Sequence, residues 1–142
     1  MIREYRKSDD QAIIQIWFDA SIISHHFIPK DFWALEKKNV EQKYLPIAET
    51  FVKEVNGKIV GFISLIDNYI GALFISPEHQ GKGIGTELIN KAKSIRKELG
   101  VEVYKDNQKA YGFYEKCGFL FLDEKIQPET GCLSVSMKLC RK

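Results

Sequence analysis

The sequence predicts a mixed α/β layer fold in a single domain spanning residues 1–142, and three features of its pattern predict this. Apolar residues recur at helical spacing in four segments. Short alternating segments, rich in Val, Ile, Phe and Tyr, lie between and around them. Asn56-Gly57 sits between two of those alternating segments, a strong signal for a tight β-hairpin. The resulting order is strand, two helices, three strands, helix, strand, helix, two strands, which is a layering of helices on one sheet.

Each element has its own local reason. Ile2 to Arg6 alternates and reads as a short opening strand. Ser8 or Asp9 can cap the helix that follows, where Ala12, Ile13, Ile16, Trp17, Ala20 and Ile23 form the apolar stripe. Ser24 to Pro29 interrupts that helix. Lys30 to Tyr44 predicts a second amphipathic helix, with Phe32, Leu35 and Val40 on its inner side and Pro46 ending it. Phe51 to Val55 and Lys58 to Leu65 are the strands of the hairpin, and Asp67-Asn68 turns the chain into Tyr69 to Ile75. Gly83 to Leu99 predicts a helix on Ile84, Leu88, Ile89, Ala92 and Ile95, with Gly100 as its stop. Val101 to Tyr104 is a strand, and Asn107 to Cys117 a helix stopped by Gly118. Phe119 to Lys125 and Leu133 to Leu139 pair antiparallel about the turn Pro128 to Gly131.

Composition narrows the function classes. The chain has 142 residues, 44% hydrophobic and 28% charged, an ordinary soluble globule able to bury a core without staples. Lys and Arg number 21 against 19 acids, a net charge of +2 that gives no reason to expect a nucleic-acid partner. Cys117, Cys132 and Cys140 have no pairing pattern and suggest reduced thiols. His25, His26 and His79 are not spaced as metal ligands, so no metal is expected. No basic stretch followed by an apolar run opens the chain, and no apolar run approaches the ~20 residues that span a bilayer. A cytoplasmic protein with no membrane partner is expected.

The chemistry concentrates between Ile75 and Leu88. A strand ends at Ile75, a glycine-rich turn follows as Gln80-Gly81-Lys82-Gly83-Ile84-Gly85, and a helix starts. The N–H groups at a helix start lack intrahelical acceptors and hold anions well. Glycine lets the backbone come close to a phosphate, and Lys82 adds positive charge. The segment lacks the Gly-Lys-Ser/Thr ending of an ATP-binding loop. It follows a hairpin instead of lying in a βαβ unit, and Glu102 sits within the next strand instead of at its end, which disfavours a dinucleotide site. A purely structural turn is the alternative.

Gln80 to Gly85 resembles the Gln/Arg-x-x-Gly-x-Gly/Ala motif of the GCN5-related N-acetyltransferase superfamily. Asn107, Ala110, Phe113-Tyr114 and Gly118-Phe119 resemble its second block, Asn-x-x-Ala-x-x-Phe-Tyr-x-x-x-Gly-Phe. With the strand order, the resemblance covers nearly the whole chain and is loosest in the first helical region. It implies a mixed, mostly antiparallel sheet of about seven strands, flanked by helices. It also implies that strands 4 and 5, Tyr69 to Ile75 and Val101 to Tyr104, splay apart.

What the resemblance implies for function is acetyl transfer from acetyl-CoA to an amine, a small molecule or a protein or peptide amine, by direct attack. A non-catalytic CoA-binding module, or transfer of a different acyl group, is the alternative. The cofactor site would comprise Gln80, Gly81, Lys82, Gly83, Ile84, Gly85 and Thr86 at the pyrophosphate. Leu73, Phe74 and Ile75 would lie along the pantetheine arm, which would bond to the strand as an added strand does. Asn107 would bond to the arm or brace its loop. Tyr114 would protonate the departing thiolate, as a phenol can at neutral pH. His25 and His26, in Ser24-His25-His26-Phe27-Ile28, are catalytic candidates, and the general base stays open between them, Glu102 and a water chain. Trp17, Phe27, Trp33 and Tyr69 would line the acceptor site, and a homodimer through the last strands is possible.

Overall fold

The Asn56-Gly57 turn takes the geometry its residues favour: φ is 53° and 78°, the left-handed pair a two-residue hairpin needs. In the computed structural model, which describes residues 1–140, this turn joins β2 (Glu49–Val55) to β3 (Lys58–Ile66). A second turn, with Asp67 at φ 54°, leads into β4 (Tyr69–Ile75). The other strands are β1 (Ile2–Glu4), β5 (Glu98–Tyr104), β6 (Leu120–Ile126) and β7 (Leu133–Cys140). The helices are α1 (Asp10–Ser24), α2 (Lys30–Asn39), α3 (Ile84–Ile95) and α4 (Gln108–Lys116).

The strands form one seven-stranded sheet in the order β1-β2-β3-β4-β5-β7-β6. All pairings are antiparallel except β4 with β5. These two pair only at Tyr69↔Gly100 and Ile70↔Val101. Beyond Ile70 they part, which is the expected splay, and the β4 edge from Gly71 to Ile75 has no strand partner on that side.

Alternation along the strands sends side chains to two helical layers. Phe51, Ile63, Leu65, Leu99, Val101, Val103 and Met137 pack with Leu88 and Ile89 of α3 and Tyr114 of α4. Val52 and Phe62 pack on the other face with Ile13 and Trp17 of α1 and Trp33 of α2. Because helices cover both faces, Val60 through Leu65 of β3 are buried without a break. Fully burying such an Ile, Leu or Phe is worth about 1.5–3 kcal/mol, so the middle of the sheet contributes heavily to the stability of the core. At the far edge β6 is exposed on both faces, with Leu120, Phe121, Leu122 and Ile126 in solvent.

Several boundaries differ from the sequence expectation. The helix expected to run to Leu99 ends at Ile95, because Leu99 is a fully buried strand residue paired with Leu139. Gly100 is therefore no helix stop. It lies within β5 under the ring of Tyr69, where a Cβ would come within 2.9 Å of Cε2. The second helix ends at Asn39, and a π-helical turn over Val40–Tyr44 follows, closed by Leu45 N–H donating to the Val40 carbonyl at 3.0 Å. That turn puts Leu45 in the core. Leu35 is exposed and Trp33 is buried in its stead, while Phe32 and Val40 pack partly buried against the core as expected. Ile23 is exposed as well. The Asp9 side chain does not cap α1: it accepts from Arg6 N–H at 2.8 Å and pairs with the Arg3 guanidinium at 2.9 Å, tying the first helix to β1.

Candidate active site

The glycine turn sits at the open end of the splay. After β4 a short 3-10 turn, Pro77–His79, leads to Gly81 and Gly83, at φ 78° and 83°. No atom lies within 4 Å of a Cβ built on either, so glycine is required there by the sign of φ and not by crowding. Gly83 is the N-cap of α3, and the first bond of the helix runs from Glu87 N–H to the Gly83 carbonyl at 3.1 Å. The N–H groups of Ile84, Gly85 and Thr86 thus have no intrahelical acceptor, and no side chain caps them. Together with the helix dipole they make an anion site. Gln80 serves the turn itself: its Nε2 donates to the Ile75 carbonyl at 3.1 Å and clamps the loop to the end of β4. Gly85 has a steric reason to be glycine, since a Cβ there would stand 3.2 Å from Cζ of Phe113. Lys82 is exposed and outside the cavity wall, whereas Thr86 is in it.

A cavity of about 620 Å³ runs from this turn along the splay. Leu73, Phe74 and Ile75 of β4 form one side, Val101 and Val103 of β5 the other, and Asn107, Phe113 and Tyr114 close it. A second cavity, of about 380 Å³, opens between α2 and the sheet. The two share Trp17, Trp33, Gly71, Ala72 and Tyr104 as walls. Glu36 and Glu129 are the charged residues in the wall of the smaller one.

Tyr114 is 6% exposed and is held by edge contacts to Phe113 and Phe119, both at 5.3 Å between ring centres. It lies in the wall of the larger cavity. Burial, with a smaller contribution from Cys117, pushes its hydroxyl well above the ordinary phenol range, so it keeps its proton at neutral pH. Among the described residues no group hydrogen-bonds to that hydroxyl.

The two adjacent histidines separate cleanly. His25 is buried at the end of α1, nested against Tyr104, Trp33 and Phe27 at 4.9, 5.3 and 5.9 Å between ring centres. Its Nε2 is 3.0 Å from Nδ2 of Asn107. Asn107 caps α4 with the other end of the same amide, Oδ1 accepting from Ala110 N–H at 3.1 Å. An amide nitrogen only donates, so His25 Nε2 accepts and the neutral ring carries its proton on Nδ1. Burial lowers the His25 pKa to about 4. With its lone pair engaged and its basicity reduced, His25 is poorly suited to take a proton. His26 is exposed beside Phe27 and in the wall of neither cavity.

Of the expected acceptor-site residues, Trp17 and Trp33 line both cavities. Phe27 packs behind His25 and against Tyr104 at 5.6 Å. Tyr69 lies over Gly100 at the closed end of the splay, outside both walls. Tyr104 went unnoticed in the sequence. It lines both cavities, and its hydroxyl donates to Gln127 Oε1 at 2.8 Å, fastening the loop between β6 and β7. Burial pushes its hydroxyl pKa up to about 12. Lys109, in the first turn of α4, also lines the larger cavity and would pass in sequence for a solvated helix residue. Glu102 is in that wall too, accepting from Ser134 Oγ at 3.1 Å and pairing with Lys125 at 3.4 Å.

A splayed parallel pair, an uncapped helix start at its mouth and an elongated cavity between them form a cleft suited to a long, phosphate-bearing ligand. Residues 11–119 match the acetyltransferase (GNAT) family, and the chain belongs to that family. It is 34% identical over 131 residues to the peptidyl-lysine N-acetyltransferase YiaC of Escherichia coli, across 92% of this chain and 90% of that one. The peptidyl-lysine N-acetyltransferase YjaB of the same organism is 32% identical over 83% of this chain and 80% of its own length. The solution structure of apo YjaB superposes with a TM-score of 0.86 at 26% identity, over 100% of this chain and 98% of that one. The structure of YncA from Salmonella typhimurium with acetyl-CoA shares the fold at a TM-score of 0.70 and 19% identity, over 100% and 94% of the two chains.

Proposed function

We propose that the protein transfers an acetyl group from acetyl-CoA to the ε-amine of a lysine side chain in a peptide or protein. One observation carries the reading: the uncapped start of α3, the open edge of β4 and Tyr114 converge on a single cavity. The likeness to two peptidyl-lysine acetyltransferases supports the acceptor. So does the smaller cavity, whose charged wall residues, Glu36 and Glu129, are both acidic and suit a cationic amine on an apolar stem.

The residues present fit acetyl-CoA. The N–H groups of Ile84, Gly85 and Thr86, reached through the Gly81-to-Gly83 turn, would hold its pyrophosphate. The edge from Leu73 to Ile75 would bond to the pantetheine amides. When bound, it supplies an activated acetyl thioester. The chain's own work is then orientation, exclusion of water and movement of protons.

An ammonium cannot attack, so the acceptor must first lose a proton. Glu102 is the carboxylate in the wall of the larger cavity, and we assign it that proton, taken directly or through water. The Leu73 N–H on the open edge would polarise the thioester oxygen. Tyr114 Oη would give its proton to the departing sulfur.

The test is calorimetric titration with acetyl-CoA, followed by mass spectrometry of lysine peptides incubated with enzyme and acetyl-CoA, with spermidine in parallel. Saturable binding and acetylation at the lysine ε-amine are expected. A folded protein that does not bind acetyl-CoA rejects the reading. Transfer to spermidine with none to peptides rejects the acceptor.

A further inference from the structure

The hydrogen bond between His25 and Asn107 joins residues 82 positions apart. It crosses from the break between α1 and α2, where His25 lines the larger cavity, to the cap of α4, the helix that carries Tyr114. Asn107 has one amide with which to do two things. Its Oδ1 holds the first turn of α4 through Ala110 N–H, which turns Nδ2 of the same planar amide toward His25. His25 Nε2 accepts from Nδ2 at 3.0 Å, so the amide is held at both ends. The ring cannot slip, because Tyr104, Trp33 and Phe27 enclose it. The arrangement needs imidazole in its neutral Nδ1–H form, with Nδ1 a buried atom that has no hydrogen-bond partner among the described residues. The same arrangement leaves His25 no free lone pair for acid–base work.

We propose that His25 is a positioning residue: its Nε2 orients the Asn107 amide, and through the cap of α4 it holds Tyr114 in register with the acceptor side of the cavity. The inference rests on the acetyltransferase reading only for its kinetic readout. Its structural half concerns this one hydrogen bond.

The experiment compares His25→Gln, His25→Asn and His25→Phe, each alone and with Asn107→Ala, using acetyl-CoA and a lysine peptide acetylated by the unmodified enzyme. Gln can place an acceptor oxygen near the position of Nε2, Asn is too short, and Phe keeps the aromatic bulk without an acceptor. His25→Gln should keep kcat within about threefold, while His25→Asn and His25→Phe each lose about tenfold. Asn107→Ala, which removes the α4 cap as well as the link, should lose at least about tenfold, and the double variant Asn107→Ala/His25→Phe no more than Asn107→Ala alone, because the link His25 makes is already gone. The ring-nitrogen NMR of His25 should report an Nδ1–H tautomer that is lost in Asn107→Ala. A Phe variant as active as the unmodified enzyme, with a Gln variant that is not, would make His25 a packing residue and overturn the proposal. A multiplicative double-variant loss would also overturn it, as would an Nε2–H tautomer in the folded protein. The NMR arm needs no acceptor, so a failed peptide assay leaves this inference decidable and counts against the proposed acceptor alone.

Discussion

Gly85 of α3 lies against the ring of Phe113 of α4 so closely that a Cβ would stand 3.2 Å from Cζ and 3.3 Å from Cε1. The contact brings the helix that starts at the glycine turn onto the helix that carries Tyr114, the neighbour of Phe113. Gly85→Ala sets two effects against each other. Alanine gains about 1 kcal/mol of helix propensity over glycine, while forcing a methyl into a tight contact costs about 1–3 kcal/mol. The net expectation is a stability loss of up to about 2 kcal/mol, with lower kcat because Phe113 must shift. Chemical denaturation and steady-state kinetics measure both. Adding Phe113→Leu should restore part of the stability, and failure to do so would mean that the ring is not what resists the methyl.

Gly83 is constrained differently. At φ 83° with open space around it, an alanine suffers only the left-handed backbone cost of about 1–2 kcal/mol. Gly83→Asp adds a carboxylate at the uncapped start of α3, where it competes with a phosphate for the same N–H groups. Calorimetry should find the acetyl-CoA affinity of Gly83→Asp reduced by about tenfold or more, with circular dichroism showing a folded chain. Equal affinity in a folded variant would remove the pyrophosphate from this turn.

Tyr114→Phe isolates the hydroxyl. The ring contacts to Phe113 and Phe119 survive, and no hydrogen bond to the hydroxyl is lost among the described residues, so stability should change by less than about 0.5 kcal/mol. A general acid contributes about 10²–10⁴-fold. The expected result is a fall in kcat of about a hundredfold, with the KM for acetyl-CoA within about twofold. Retained turnover would mean that the thiolate takes its proton from elsewhere.

Much of the fold is legible in the sequence because its signals are local. Asn56-Gly57 needs only its own two residues to specify a hairpin, and the glycine turn after Ile75 announces itself through the backbone conformations it requires. Where a tertiary contact decides, local reading fails. Leu99 continues the apolar period of α3, yet the sheet claims it as a partner for Leu139. Leu35 and Trp33 both suit a buried helix face, and tertiary contacts to Trp17, edge-on at 5.7 Å, and to His25 at 5.3 Å select Trp33. The site divides in the same way. The loop and Tyr114 belong to short motifs, whereas the separate fates of His25 and His26 depend on a hydrogen bond to a residue 82 positions away. No spacing rule carries that information.

The buried imidazole has a signature in stability against pH. Its pKa is near 4 in the folded protein, against an ordinary 6.5. Between those values the unfolded chain binds a proton that the folded chain refuses, so stability rises with pH across this window. The contribution is complete above about pH 6.5, is lost progressively as pH falls, and levels off below the folded value near pH 4. Two-state linkage puts the loss on going from about pH 7 to about pH 5 at about 2 kcal/mol. Urea denaturation of the unmodified chain and of His25→Gln at those two pH values separates this residue from all other titrating groups. The stability difference between the two proteins should move by about 2 kcal/mol in favour of the variant at the lower pH. Parallel profiles would mean that His25 protonates in place, and with it that the bond from Asn107 does not hold the ring neutral.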